Sequence, residues 1–123
     1  MSVHRQLFML VALTAFGCQK PATSPNPSTE SSNPERGKIA IAQYGCASCH
    51  TIPGIRGALG LVGPSLDRIA SRTYIAGVLQ NTHANMLRWI QNPPQVDDKT
   101  AMPNLRVTDQ DARDIASFLY TLR

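Results

Sequence analysis

Long hydrophobic runs, blocks of like charge and paired metal-ligand spacings are scarce in this 123-residue chain. The apolar run Leu7 to Leu13 falls well short of the about 20 residues that a membrane-spanning helix needs. Lys and Arg number 12 against 8 Asp and Glu, a net charge of +4, yet nowhere do five or six basic residues stand together. That pattern gives no support to nucleic-acid binding and reads as a mildly basic, solvated surface. No segment alternates apolar and polar residues as a half-buried strand does, and no βαβ pattern appears. Aromatic residues make up only 6% of the chain, so a core built from protein alone would be poor in large rings. The length has room for one small domain.

Cysteine is scarce too, with three copies, but two stand in Cys46-Ala47-Ser48-Cys49-His50. Two thiols at this spacing on one helical turn can reach the two vinyl groups of a porphyrin, and the next imidazole then faces the iron. Cys-x-x-Cys-His is accordingly the attachment signature of c-type haem. A thioredoxin-like dithiol would want a neighbouring βαβ unit, and a zinc site a second ligand pair. Neither is present among the remaining cysteine and the three histidines. One covalent haem, held through Cys46 and Cys49, would supply the rigid apolar group that the core lacks.

The N-terminus reads as an export signal over residues 1–17: His4 and Arg5, the apolar run, then Thr14-Ala15-Phe16-Gly17 before Cys18. Ala15-Phe16-Gly17-Cys18 resembles a bacterial lipobox, in which the cysteine is lipidated, although Leu13 stands two places early. The alternative, ordinary cleavage before Cys18, would leave a free terminal thiol in an oxidising compartment. Residues 18–33 are rich in Pro, Ser, Thr and Asn and form a linker without core-building residues. Its extended limit is roughly 50 Å at about 3.1 Å per residue.

The folded domain is expected over residues 34–123, all-α, with three to five helices and long loops around the haem. Asn33 caps the first helix and Pro34 occupies its first position, where a missing N–H costs nothing. Gly37, Ile41 and Tyr44 share one face of it. Ser65 is expected to cap a short helix to Ala70. Thr82 caps a helix through Leu87, Trp89 and Ile90, stopped by Asn92-Pro93-Pro94. Thr108-Asp109-Gln110-Asp111 opens the last helix like a capping box, with Ala112, Ile115, Leu119 and Leu122 in one stripe and Phe118 beside it.

From Glu35 to the C-terminus the chain resembles the class I cytochrome c family. The likeness rests on Gly37-Lys38-Ile39, the Cys46 to His50 motif, Gly63-Pro64-Ser65-Leu66, Asn92-Pro93 ten residues before Met102, and Asp114-Ile115-Ala116-Ser117-Phe118-Leu119. Tyr74-Ile75-Ala76-Gly77 and Asn81-Thr82 resemble the haem-c domain fused to subunit II of some bacterial terminal oxidases. The family resemblance implies His50 as proximal iron ligand and Met102 as distal ligand, with the Pro64 carbonyl accepting the His50 N–H. It also implies Leu66 and Trp89 beside the haem, Thr100 on a propionate, and Gly37 against the ring edge of Phe118. Asp97 and Asp98 depart from the oxidase pattern by adding acid before the ligand loop.

Among the other candidate ligands, Met86 sits on an amphipathic helix and reads as core filler, and His83 as a surface residue at a helix start. Met102, in a loop before Pro103, has no helical stripe to serve. A His/Met pair fills both axial positions and raises the reduction potential, which points to an electron carrier and not an enzyme. The expected setting is a bacterial respiratory chain, on the periplasmic side, anchored to the membrane by lipid at Cys18. The expected partners are a quinol-oxidising complex and a terminal oxidase or reductase, with the chain a monomer or a complex subunit. A fixed haem subunit, and a haem enzyme or gas sensor with a labile sixth ligand, are the alternatives. Docking is expected to be weak and salt-sensitive, with Arg56, Arg68, Arg72 and Arg88 as candidates for docking or propionate pairing.

Overall fold

The computed structural model describes residues 31–123. The expected signal (1–17), Cys18 and nearly all of the linker lie outside the described residues. The elements in chain order are α1 (Pro34–Gln43), a 3₁₀ turn (Cys46–Ser48), a second 3₁₀ turn (Ile69–Ser71), β1 (Tyr74–Ile75), β2 (Leu79–Gln80), α2 (His83–Gln91), α3 (Pro93–Val96) and α4 (Asp109–Leu119). Helices dominate, as expected of this fold class.

The three long helices start at the anticipated caps. Asn33 Oδ1 accepts the N–H groups of Glu35 and Arg36 at 2.8 and 3.1 Å. The hydroxyls of Thr82 and Thr108 accept the N–H groups of Asn85 and Asp111. Each bond satisfies a donor that the first helical turn leaves without a partner.

α1 and α4 cross in close contact at Gly37. A Cβ there would overlap the Asp114 carbonyl and press on Phe118 Cβ. The nearest contacts are therefore the backbone of α4 and the base of the Phe118 side chain. The far edge of that ring lies opposite Gly54, with Lys38 Nζ 5.7 Å from its centroid. Beside the crossing, Asp114 is only 1% exposed. It accepts from Arg36 Nε at 2.7 Å, the Asn33 N–H at 2.7 Å and Gln110 Nε2 at 3.2 Å. Burial alone would raise the pKa of this carboxyl, but Arg36, Asn33 and Gln110 together hold it below the ordinary carboxylate range.

Three local expectations change. Ser65 to Ala70 is not a helix: the Leu66 N–H is taken by the Thr51 carbonyl at 2.9 Å, Arg68 adopts φ 50°, and the 3₁₀ turn begins only at Ile69. This tertiary bond and the left-handed backbone at Arg68 override a weak local helix. Pro93-Pro94 ends α2 but also opens α3, since the first positions of a helix need no intrahelical N–H donor. A two-residue hairpin, Tyr74 against Gln80 and Ile75 against Leu79, adds strand where none was expected. Its turn uses left-handed backbone at Ala76 (φ 51°) and Gly77 (φ 76°).

Candidate functional site: an apolar cavity behind the Cys-x-x-Cys-His turn

The motif folds into a single helical turn. Gly45, at φ 71°, ends α1 and starts the turn, and the N–H groups of Cys49 and His50 both donate to the Cys46 carbonyl. Cys46 and Cys49 are thereby set on one curved segment. Burial pushes the Cys46 thiol above its ordinary pKa, and the neighbouring Cys49 adds to that.

His50 Nδ1 lies 2.7 Å from the Pro64 carbonyl oxygen. A carbonyl only accepts, so Nδ1 carries a proton, and in the neutral imidazole the lone pair is then on Nε2. Gly63 makes this possible, because a Cβ at that position would collide with the imidazole. The Gly63 N–H also donates to the Cys49 carbonyl at 2.8 Å, which ties the loop to the motif.

Behind the motif lie two adjoining hollows, one of about 320 Å³ and one of about 60 Å³. They share His50, Leu66, Trp89 and Met102. Cys49, Pro64 and Thr100 border the larger hollow, and Cys46 borders the smaller. All eight residues named from the sequence for the haem site thus gather around one space. The Thr100 hydroxyl also accepts the Met102 N–H at 3.2 Å, bracing that loop.

Other expectations separate in space. Met86 is 2% exposed, sits in the core and borders neither hollow. His83 stacks on Tyr120, with centroids 6.0 Å apart, and also stays outside the site. Of the four arginines, only Arg72 borders the larger hollow, where its guanidinium donates to the Ser65 and Asp67 carbonyls. Sequence reasoning did not name Ile41, Ile52, Ile69, Ile75 or Ile115 for the site, although all of them line it. Ile41 and Ile115 belong to helical stripes that signalled burial; the loop isoleucines carried no periodic signal.

Residues 34–123 match the family model described as Cytochrome c. The chain belongs to the cytochrome c family. Cytochrome c oxidase subunit 2 of Alkalihalophilus pseudofirmus is 26% identical over 89 residues, covering 72% of this chain and 25% of that protein. The chain thus spans about a quarter of the length of the curated relative it matches. SoxXA from P. pantotrophus superposes with a TM-score of 0.61 at 21% identity, over 76% of this chain and 84% of that one. Cytochrome c2 from Rhodobacter sphaeroides gives 0.51 at 19% identity, over 75% and 97%. Both structures show the same fold.

Electron transfer is the work of cytochrome c domains, and haem c, bonded through a cysteine pair, is their cofactor. Cys46 and Cys49 are that pair here. The residues present fit the group: the space is mainly apolar, a cysteine borders each hollow, and an imidazole with a free Nε2 stands between them. Among the described residues no cluster of three or more His, Cys, Asp or Glu could form a separate metal site.

Proposed function

We infer that this chain is a monohaem electron carrier in which His50 and Met102 would hold the iron. The observation that carries the reading is that these two residues, from loops far apart in the chain, border the same two hollows. When bound, haem c supplies an iron that cycles between the ferrous and ferric states. The chain's own residues set the terms. Pro64 holds the His50 ring and its tautomer, which keeps the ligand basic and oriented. A thioether from Met102 favours the ferrous state and raises the potential. Leu66 and Trp89 would keep water from the group, and Thr100 and Arg72, which border the larger hollow, would be the polar partners for its propionates. Held by both residues, the iron would offer no site to a substrate, and the group would serve to pass single electrons.

The test compares two methionines. Met102→Ala is expected to open the ferrous protein to carbon monoxide, seen as a shifted Soret band. Met86→Ala is expected to cost about 2–5 kcal/mol of stability with no carbon monoxide binding. The opposite pattern would overturn the ligand assignment.

The setting we propose is the periplasmic side of a bacterial membrane, with export over residues 1–17, lipid on Cys18 and the 18–33 linker as tether to the 34–123 domain. Among the described residues no helix is long and apolar enough to cross a membrane; the lipid anchor rests on the Ala15-Phe16-Gly17-Cys18 sequence. A Cys18→Ser variant is expected to leave the membrane fraction; its retention there would sink the anchor. Electrons would pass from a quinol-oxidising complex to a terminal oxidase or reductase. A second reading, a fixed haem subunit of a larger complex, is favoured by the match to one segment of an oxidase subunit. Stable co-purification in mild detergent would select it over a mobile carrier.

A further inference from the structure

The loop that follows the haem-attachment turn holds three large aliphatic side chains in water. Leu59 is 76% exposed, Leu61 90% and Val62 77%. Single exposed apolar residues are ordinary on a protein surface, but three within one short loop form a patch of the kind that marks an interaction site. The loop does not expose them for want of anchoring. Gly60 lies so close to the Ser48 and Cys49 backbone that a Cβ would not fit. Thr51 Oγ1 donates to the Gly60 carbonyl at 3.1 Å, and Thr51 pairs with Leu59 across an isolated antiparallel bridge. Ala58 makes the loop's buried contact, so the three larger side chains serve no core.

Their position is specific. Val62 borders the haem cavity next to Cys49, and exposed Ala76, Ala101 and Pro103 border it as well. From Gly57 through Leu66 no residue is charged. The two charged residues on the cavity wall are tied to backbone: the Arg72 guanidinium donates to the Ser65 and Asp67 carbonyls, and Asp97 Oδ1 accepts the Lys99 N–H.

We propose that the Leu59–Val62 loop is the docking surface for a redox protein whose own electron-transfer centre is ringed by uncharged, apolar side chains. The proposal rests on the electron-carrier reading, which requires a partner to approach the haem cavity. Charge complementarity selects the kind of partner. A carboxylate or ammonium pressed against these side chains would lose its water and gain no counter-charge or hydrogen bond. An apolar face loses only unfavourable hydration. Association through this loop is therefore nearly independent of salt, in contrast to the salt-sensitive docking expected from net charge.

The test is stopped-flow electron transfer from the reduced, haem-loaded full chain to two blue-copper proteins, one with its copper edge ringed by apolar residues and one ringed by carboxylates. Over roughly 10 to 500 mM salt, the apolar-faced acceptor is expected to react faster, with a rate that changes less than about twofold. Leu61→Gln is expected to slow that reaction about tenfold, and the pair Leu59→Glu, Leu61→Glu further still. The visible spectrum, the potential of Leu61→Gln and its rate with a small inorganic oxidant stay unchanged. Amide signals of residues 59–62 are expected to shift on titration with the apolar-faced protein. Faster, steeply salt-dependent transfer to the carboxylate-ringed acceptor overturns the proposal, as does an unaltered rate for Leu61→Gln. Loss of phosphatidylcholine-vesicle binding or of self-association in Leu61→Gln, with electron transfer intact, assigns the loop to lipid or to a second copy and equally overturns it. A chain that reacts with the small oxidant but with neither copper protein overturns the carrier reading, and the docking surface with it.

Discussion

At the point where α1 crosses α4, the protein supplies both sides of the contact: Gly37 lies on the Asp114 carbonyl, and Asp114 is bonded from Asn33, Arg36 and Gln110. The middle of the chain is built differently. Between Gly45 and Asn81 it has two 3₁₀ turns, a two-residue hairpin and loops, and apolar Leu66, Ile69 and Ile75 face a hollow. A helix pair with a complete interface can hold itself together, whereas loops with little regular hydrogen bonding need a packed core to hold them. The difference teaches that the middle region would depend on a bound haem for its core more than the crossing does, although Ile41 and Ile115 of the crossing helices border the smaller hollow too.

Removing the haem breaks this comparison most severely. A Cys46→Ala, Cys49→Ala variant isolated without haem is expected to lose its cooperative thermal transition while keeping part of its helical circular dichroism, since a group bound only by the folded state stabilises that state. A cooperative transition within about 5 °C of the haem-loaded protein would show that the middle supports itself. Next in size is Gly37→Ala. Alanine favours a helix over glycine by about 1 kcal/mol, but here its methyl would force the two helices apart, for an expected net loss of about 3 kcal/mol in urea unfolding. An unchanged midpoint would mean that the crossing has slack.

The smallest effect sharpens the electrostatic side of the crossing. Asp114→Asn is expected to cost about 2 kcal/mol at pH 7, below the usual figure for breaking a buried pair because Arg36 is partly in water. The folded carboxyl titrates below its unfolded value of about 3.9. Its contribution is therefore complete above that value and is lost as pH falls through the folded pKa. Unfolding curves of the two proteins should separate at neutral pH and converge in acid; a constant gap would assign the effect to shape and not to charge.

Features carried by neighbouring residues were legible early. Asn33-Pro34, Thr82 and Thr108 each mark a helix start through a bond to an N–H two or three residues away. The eight residues expected at the haem site, all of which border the hollows, were named by the motif and the family likeness and not by periodicity. Less legible were Pro93–Val96, where prolines read as a stop also begin a turn of helix, and Ser65 to Ala70, where the Thr51 carbonyl takes the Leu66 N–H. Asp114 gave no local sign of burial, since an acid on a helix ordinarily faces water.

By itself, the sequence determined where haem is attached and where the long helices begin, because both depend on contacts within a few residues along the chain. Only the tertiary structure decided which side chains close the cavity, that Met102 and not Met86 reaches it, that Asp114 is buried, and that Leu59, Leu61 and Val62 stay in water. Burial depends on what other segments bring to a position, and no local pattern records that.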